Sequence, residues 1–324
     1  MKVLVTGGAG YIGSHCVKVL LDKGVETWCL DNLSKGHKEA VLTSNFIQGD
    51  IGDSKKLDAV LANQEFDAII HLAALSIVAE STQDPEKYYL ENFAKMKTLL
   101  DAAIKYMVPN FVFSSTAAVY GIPKAIPIHE DHETMPINPY GHTKLAGENM
   151  LRDYGKAYGL NYCILRYFNA AGASPEAGIG ESHNPESHLI PLLCEALANK
   201  SEDFLVYGND YGTEDGTCIR DYIHVLDLAE AHFLALEYLH KGGSSGLYNL
   251  GGSKGHSVYE IINKMELLTG DKLCFKVINR RPGDPDVLVA SNAKAKKELG
   301  WEPKRSAIDY ILADAWEWYS EKKY

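Results

Sequence analysis

The 324-residue chain has little of three things: paired cysteines, long apolar runs and excess positive charge. None of its six cysteines forms a C-x-x-C pair, which argues against a cysteine-based zinc or redox centre. No apolar run approaches the roughly 18 residues of a membrane span. The apolar start of the chain reaches Gly7, too early for a signal peptide. We therefore expect a soluble, cytoplasmic protein with reduced cysteines.

The charge balance is acidic, with a formal net charge of -11. No basic excess is present to neutralise a phosphate backbone, so nucleic acid is not an expected partner. A phosphorylated small molecule needs only a local positive site and stays possible. Apolar residues make up 46% of the chain, enough for sizeable cores, and the length suits one large α/β domain or two smaller ones.

The first half of the chain alternates short apolar runs with longer amphipathic segments. This alternation predicts an α/β fold, in which a doubly wound parallel sheet of the Rossmann type carries helices on both faces. The predicted strands are 2–6, 27–30, 45–48, 67–71, 110–115 and 161–168. The predicted helices are 11–23, 54–63, 85–106 and 140–158.

The alternation loosens after residue 169. Residues 173–187 are rich in Gly, Pro, Ser and Glu and predict a long loop, followed by helices over 189–199, 225–240 and 258–269. We expect residues 1–170 to form a dinucleotide-binding domain and 171–324 to form a smaller α/β substrate domain. Some of the later segments are expected to return to the first domain.

A glycine-rich turn, G-G-A-G-Y-I-G, follows the first strand and opens the first helix. Gly7, Gly10 and Gly13 suit a tight turn that lets the backbone approach a pyrophosphate, which the helix N-terminus then faces. Asp31 ends the second strand, where a carboxylate accepts from a ribose 2′-hydroxyl and repels a 2′-phosphate. The combination favours NAD over NADP. The alternative is a plain glycine turn with a solvated aspartate.

Two further strand ends carry residues that could reach the same ligand, because ligands gather at the carboxyl ends of parallel strands. Asp50 and Ile51 follow the third strand, and Asp50 could contact adenine. Residues 71–74 follow the fourth strand. For His71 itself, an ordinary buried histidine is the favoured interpretation.

A tyrosine and a lysine four residues apart provide candidate acid–base chemistry. Tyr140 and Lys144 share one face of a predicted helix. A free phenol has a pKa of about 10, which a neighbouring ammonium and a positive nicotinamide would lower. The hydroxyl of Thr116, at the end of a Ser/Thr-rich strand, could hold the reacting hydroxyl. A solvated helix face and simple turn bonding are the alternatives.

Six blocks together resemble the extended short-chain dehydrogenase/reductase family, and within it the epimerases of UDP-hexoses. They are T-G-G-A-G-Y-I-G, Asp31-Asn32, S-S-T-A-A-V-Y-G, Y-G-H-T-K, L-R-Y-F-N and G-N-D-Y-x-T-x-D-G-T-x-x-R-D-Y-I-H. The likeness covers nearly the whole chain. It implies NAD-dependent interconversion of UDP-glucose and UDP-galactose by reversible oxidation at C4, through a 4-keto sugar and without a metal.

The resemblance also implies roles for individual residues. Tyr140 would be the general base, Lys144 would bind the nicotinamide ribose, and Thr116 would be the hydroxyl partner. The implied NAD contacts are Gly7, Gly10, Tyr11, Ile12, Gly13, Asp31, Asn32, Asp50, Ile51, Leu72, Ala73, Ala74, Asn92, Tyr140, Lys144 and Tyr167. The implied UDP-hexose contacts are Thr116, Asn169, His188, Leu189, Tyr207, Arg220, Arg281, Asp284 and Leu288.

Three positions depart from the family pattern. Ser76 stands where some members carry a lysine, and His188 stands where many carry an asparagine. Leu288 is intermediate in bulk, which leaves N-acetylated UDP-hexoses open as substrates. Dehydration is disfavoured because Ala117 and Ala118 replace the acid–base pair of the dehydratases. Epimerisation of UDP-glucuronate and a non-catalytic NAD-sensing role stay open as well.

The resemblance implies a homodimer as well. Family members pair the helices equivalent to 85–106 and 140–158. The apolar stripe that could form this interface is Tyr88, Tyr89, Phe93, Met96 and Leu100. The alternative is that the same stripe packs against the sheet.

Overall fold

The computed structural model describes residues 1–200, 204–281 and 284–324. Its strands are β1 (Lys2–Thr6), β2 (Glu26–Asp31), β3 (Phe46–Gln48), β4 (Ala68–His71), β5 (Asn110–Thr116), β6 (Asn161–Tyr167), β7 (Asn169–Ala171), β8 (Phe204–Tyr207), β9 (Ile219–His224), β10 (Gly246–Leu250), β11 (Gly255–Ser257), β12 (Phe275–Ile278) and β13 (Val287–Leu288). Its helices are α1 (Tyr11–Asp22), α2 (Ser54–Leu61), α3 (Val78–Gln83), α4 (Pro85–Tyr88), α5 (Lys95–Lys105), α6 (Pro139–Tyr158), α7 (Leu189–Ala198), α8 (Val225–His240), α9 (Val258–Thr269), α10 (Ala293–Leu299) and α11 (Ile308–Ser320).

A seven-stranded parallel sheet lies at the centre of the first part of the chain. Its strand order is β10-β6-β5-β4-β1-β2-β3, so the direction of winding reverses between β1 and β4. Open sheets of this kind bind ligands at the carboxyl ends of the strands beside the reversal. The predicted α/β class with a doubly wound parallel sheet is confirmed.

Helices cover both faces of this sheet, and alternate residues of each strand divide between two cores. Val3 and Val5 face a core shared with α1 and α8. Leu4, between them, faces the core under α2, α5 and α6. Because successive strand side chains point to opposite faces, a strand buried on both sides is apolar throughout. This is why the short apolar runs of the first half predicted the strands well.

Two segments from beyond residue 170 complete this sheet layer. β10 pairs with β6, with Tyr248 in register with Leu165. α8 packs against α1 and the adjoining strands. Trp301 is fully buried in the same core, and its indole Nε1 donates to the Asp227 carbonyl in α8 at 2.8 Å. Trp301 and α8 therefore pack in the same core as one face of the first sheet.

The remaining elements build a second, smaller core. β9 lies between β11 and β13 and also pairs with β7, while β8 pairs with β12. α7, α9 and α11 supply most of the apolar side chains of this core. No helix of the described residues is long and apolar enough to cross a membrane.

The predicted helix over 85–106 is interrupted. Between α4 and α5, the chain forms a π-helical segment, Tyr89–Ala94. This wider turn places the buried Asn92 against the loop after β4, where its side chain accepts from the Leu75 N–H and donates to the Leu75 carbonyl. An insertion of this kind leaves no signal in the apolar periodicity, and π-helical turns are frequent at functional sites.

The five residues of the apolar stripe expected for a dimer interface differ in burial. Tyr88, Met96 and Leu100 are fully buried within the single chain, which favours the stated alternative, packing inside the fold, for these three residues. Tyr89 remains 44% exposed and Phe93 is half-buried. Met96 and Leu100 belong to the core under α2, α5 and α6, whereas Tyr88 packs edge-on against Tyr140 of α6.

Trp301→Ala should lower the free energy of unfolding by about 3–5 kcal/mol, because it empties a large fully buried site and removes the indole N–H that donates to the Asp227 carbonyl. Tyr310→Ala is the matched control, because Tyr310 is 64% exposed and its loss should change stability by about 0.5 kcal/mol or less. Denaturant unfolding of the two variants measures both changes in the free energy of unfolding. Equal midpoints would contradict this account of the core.

Candidate active site

One cavity of about 1140 Å³ opens at the carboxyl ends of the parallel strands. Its lining residues are far apart in sequence and come from the elements around both cores. The residues expected at the site that line it are Gly7, Gly10, Tyr11, Ile12, Gly13, Asp31, Asn32, Asp50, Ile51, Leu72, Ala73, Ala74, Thr116, Tyr140, Lys144, Tyr167, Asn169, His188, Leu189, Tyr207, Arg220, Arg281, Asp284 and Leu288. Asn92 is not among them and lies behind the loop that contains Leu75.

Two glycines of the turn at the base of the cavity, Gly7 and Gly13, leave no room for a side chain. A Cβ added to Gly13 would lie 1.9 Å from the Gly7 carbonyl oxygen, and one added to Gly7 would lie 2.5 Å from the Ala73 nitrogen. Gly7 also adopts a φ of +75°. α1 begins beyond Gly10 without a side-chain cap, so its first N–H groups can donate to a ligand. The turn fits the pyrophosphate of a dinucleotide.

Asp31 stands beside this turn and is largely buried. Its carboxylate accepts from the backbone N–H groups of Ala9 at 2.9 Å and Leu33 at 2.8 Å. Burial raises the pKa of Asp31, and these two N–H groups oppose the rise. The hydrogen bonds fix the carboxylate at the end of β2, where a ribose hydroxyl of NAD would donate to it.

Asp50 forms a second acidic position on the same wall. Its carboxylate accepts from the Lys95 ammonium at 2.8 Å and from the Asn32 side-chain amide at 2.9 Å. Burial opposes ionisation, but Lys95 and the neighbouring donors hold the pKa of Asp50 below its ordinary value. Sequence analysis missed Lys95, which also pairs with Glu91 one helical turn earlier. Only that i, i+4 pair could have pointed to it.

Tyr140 and Lys144 lie at the start of α6, directly beneath the end of β5. Asn138 caps this helix by accepting from the Gly141 N–H at 2.8 Å. A Cβ at Gly141 would lie 2.7 Å from the Ala118 carbonyl oxygen, so glycine permits the close approach. The approach places the Tyr140 phenol on the same cavity wall as the Thr116 side chain, whose hydroxyl oxygen accepts from the Ala118 N–H at 3.1 Å. The three predicted catalytic residues therefore meet at one wall of the cavity.

The electrostatics of this pair differ from the expectation. Burial raises the pKa of the Tyr140 phenol, and the hydrogen bond with Thr116 opposes the rise. Burial lowers the pKa of Lys144 to about 7, opposed by the carboxylate of Glu148. The expected lowering of the phenol pKa by Lys144 is therefore not produced by the protein groups alone, because desolvation favours the neutral form of both side chains.

A buried ion pair lies one helical turn beyond Lys144 on α6. Glu148 is fully buried and accepts two hydrogen bonds from the Arg166 guanidinium, at 2.8 Å and 2.6 Å. The Ser115 hydroxyl donates to the same carboxylate at 2.6 Å. Lys144 itself donates to the Ser114 carbonyl at 2.9 Å. Sequence analysis missed this network, although Glu148 follows Lys144 by one helical turn.

Two arginines face the cavity from the later part of the chain. Arg220, on β9, donates to the Asp284 carboxylate at 2.6 Å. Tyr211 donates to the other oxygen of that carboxylate at 3.1 Å. The Arg281 guanidinium lies 4.3 Å from the centroid of the Tyr207 ring. Guanidinium groups held in this way suit a diphosphate.

Leu288 and Asn169 lie near these arginines. Leu288 is in register with Arg220 across the parallel pair of β13 and β9. Asn169 donates from its side-chain amide to the Asp221 carbonyl at 3.1 Å. His188 immediately precedes α7, at the end of a loop that brings the unpredicted Glu181 and His183 to the same wall.

The parallel sheet with its glycine turn, together with the Thr116–Tyr140–Lys144 wall, defines a dinucleotide-dependent enzyme of the epimerase and dehydratase type. Residues 3–251 match the family described as the NAD dependent epimerase/dehydratase family. The chain belongs to this family, and within it to the UDP-glucose 4-epimerases. The predicted family is confirmed.

Three relatives support this membership. A UDP-glucose 4-epimerase of Halalkalibacterium halodurans is 50% identical, over 99% of this chain and 96% of the relative. A crystal structure of UDP-glucose 4-epimerase from Brucella ovis in complex with NAD is 46% identical, covers 98% of each chain and has a TM-score of 0.96. The enzyme from Stenotrophomonas maltophila, with bound NAD and formylated UDP-arabinopyranose, is 40% identical, covers 99% and 98% of the chains, and has a TM-score of 0.94.

Lys144→Met should stabilise the cofactor-free protein at pH 7, and the gain should shrink as the pH rises to 9. The pKa of Lys144 is about 7 in the folded protein but about 10.4 in an unfolded chain. Between these values the unfolded state binds the extra proton, so the stability of the parent protein rises with pH and the variant lacks this slope. Denaturant unfolding of both proteins at the two pH values measures this difference in stability. A pH-independent difference would exclude a depressed lysine pKa.

Proposed function

We propose that this chain interconverts UDP-glucose and UDP-galactose by reversible oxidation at C4 of the hexose, with Tyr140 as the acid–base residue. The observation that carries the proposal is that the Tyr140 phenol and the Thr116 hydroxyl line the same cavity as the glycine turn and the two arginines. Bound NAD supplies the redox chemistry by accepting the C4 hydride and returning it. The protein supplies position, protons and charge.

Proton transfer falls to Tyr140 and Thr116. The Thr116 hydroxyl can bond the sugar hydroxyl and the phenol together, which gives the proton a short path between them. Tyr140 takes the C4 hydroxyl proton during oxidation and returns it during reduction. Since burial raises the pKa of this phenol, the positive nicotinamide is needed beside it to favour the phenolate.

Lys144 sets the charge beneath the phenol. Its amine is fixed by the hydrogen bond to the Ser114 carbonyl, and Glu148 lies one turn further along α6. A lysine with a pKa of about 7 is partly protonated at neutral pH. It can therefore donate to the nicotinamide ribose and add positive charge near Tyr140 when the site is filled.

The UDP part of the substrate is anchored by Arg220 and Arg281. Asp284 orients Arg220, and the Tyr207 ring supports Arg281. Guanidinium groups on one wall hold the diphosphate while the 4-keto sugar turns and presents its other face to the cofactor. We assign the NAD side of the cavity to residues 1–170 and the UDP-sugar side to 171–324, from which α8 and β10 return to the first sheet.

Competing activities differ at identifiable positions. Ala117 and Ala118 offer no carboxyl group beside Thr116, so elimination of water has no acid–base pair. Leu288 lines the cavity, and its bulk limits the size of the sugar 2-substituent that is accepted. A non-catalytic role is disfavoured because Tyr140 and Lys144 are both present in the cavity.

Tyr140→Phe should lower the turnover of UDP-galactose by roughly 10²–10⁴-fold, because it removes the proton acceptor but keeps the ring. Tyr158→Phe is the matched control on the same helix, where the ring is 62% exposed and turnover should be unchanged. Undiminished turnover in Tyr140→Phe would refute the catalytic assignment.

Two companion measurements separate cofactor from sugar. Denaturing each purified protein should release NAD, including from Tyr140→Phe. Assays with UDP-galactose and UDP-galacturonate in parallel should favour the neutral hexose.

We also propose a cytoplasmic homodimer. The compartment is inferred from six free cysteines, which a reducing environment maintains. Exposed apolar side chains remain on the two helical segments expected to pair: Tyr89 at 44% and Leu90 at 53% on one, and Tyr158 at 62% on the other. These replace the buried members of the expected stripe as candidate contacts.

Light scattering at micromolar concentration should give the mass of two chains. Leu90→Lys should shift the mass toward one chain, because it places a charge in the apolar contact. Leu267→Lys is the control, since Leu267 is 84% exposed on α9 and should leave the dimer intact. A parent protein with the mass of a single chain would reject the dimer.

A further inference from the structure

Four metal-ligating side chains converge on the loop before α7. They are Glu181, His183, Glu186 and His188, and one ligand atom of each lies within 4.8 Å of the others. Their sequence spacing is E-x-H-x-x-E-x-H. Three of the four, Glu181, His183 and His188, also line the active-site cavity. None of the four takes part in the proposed proton transfer or diphosphate contacts, and only His188 is also among the predicted UDP-hexose contacts.

We propose that these side chains bind one divalent transition-metal ion of the zinc class. Two imidazoles and two carboxylates form a donor set typical of such ions, and four ligands complete a tetrahedral site. Magnesium and calcium fit less well, because they prefer oxygen ligands throughout. The ion is a structural element on the cavity wall, and the site stands independently of the proposed function.

Two buried ligand atoms of the cluster form no hydrogen bond. Glu181 is only 8% exposed, and neither its Oε1 atom nor Nδ1 of His183 has a hydrogen-bond partner. Their direct contact with each other is the ion pair that joins the two side chains. Nδ1 of His188 lies 2.8 Å from Glu186 Oε1 and 4.0 Å from the same Glu181 oxygen. Glu181 is therefore central to the cluster, and an ion bound there would replace its direct contact with His183 by one bond to each side chain.

The backbone that carries these ligands is fixed from outside the loop. The Trp318 indole donates to the Glu181 carbonyl at 2.8 Å, and the Lys35 ammonium donates to the Asn184 carbonyl at 2.9 Å. His37 forms a hydrogen bond with the Ser182 carbonyl at 2.8 Å. A held backbone limits the reorganisation needed for ligand binding, since only side chains must adjust.

The charge of the wall favours a bound cation. Glu181 and Glu186 bring two carboxylates to the edge of a cavity that is to receive a diphosphate. Like charges at this range oppose each other, and more strongly at a partly buried site. A divalent cation offsets both carboxylates and ties the loop to the start of α7. The alternative arrangement is a metal-free network of imidazoles and carboxylates, which the experiment below separates from an ion site.

The test is titration of the chelator-treated, dialysed full chain with Zn²⁺ against a chromophoric competitor, and with Co²⁺ by visible absorption. One equivalent per chain should bind, with the intense Co²⁺ absorption of a four-coordinate site. His183→Ala should weaken binding roughly tenfold or more. Glu181→Gln, which keeps the side-chain shape, should do the same, and circular dichroism should show both variants folded.

Two controls exclude other metal ligands. The double variant His129→Ala/His132→Ala removes two imidazoles stacked 6.1 Å apart elsewhere on the chain and should bind as the parent does. Cys274→Ser removes the exposed thiol and should also bind as the parent does. The proposal is overturned if the parent protein does not bind one equivalent of metal. It is also overturned if His183→Ala and Glu181→Gln bind the metal as tightly as the parent does. No readout uses turnover, so the outcome is separate from that of Tyr140→Phe.

Discussion

The close approach of α1 to β1 is the constraint on which the site depends. With 1.9 Å between a Gly13 Cβ and the Gly7 carbonyl oxygen, no side chain fits, and the uncapped helix end is pressed against the sheet where the strand order reverses. The cavity, the placement of Asp31 and the proximity of the residues after β4 all follow from this packing. A helix displaced by even a methyl group would separate its N–H groups from the strand ends that complete the crevice.

Within that crevice, burial acts in opposite directions on the two central side chains. It raises the pKa of the Tyr140 phenol and lowers that of the Lys144 ammonium, so desolvation favours the uncharged form of each. Glu148 opposes the loss of charge on Lys144, and the buried Arg166 holds this carboxylate in place. A bound cation beside these two side chains would lower the pKa of both.

The sequence predicted what depends on local pattern. Strands buried on both faces produce continuous apolar runs, and the residues after them, such as Asp50 and Ala73, lie in the cavity as expected. β10 was missed because its buried Asn249 interrupts the apolar run and is satisfied by Tyr120 and the Ile128 carbonyl, over a hundred residues away. Lys95 and the Glu148–Arg166 pair were missed because their interactions also join residues distant in sequence: Lys95 binds Asp50, and Arg166 binds Glu148.

The two walls of the cavity are joined by a very short piece of chain. β6 ends at Tyr167 and β7 begins at Asn169, which is in register with Tyr222 on the strand that carries Arg220. The backbone that carries Arg220 is therefore fixed relative to β6 and its neighbour β5, which ends at Thr116. With the diphosphate on the arginines, as proposed above, such a connection would hold it at a set distance from the phenol. Because only the sugar beyond the diphosphate would then be free to turn, its two faces would reach the same stationary acid–base group.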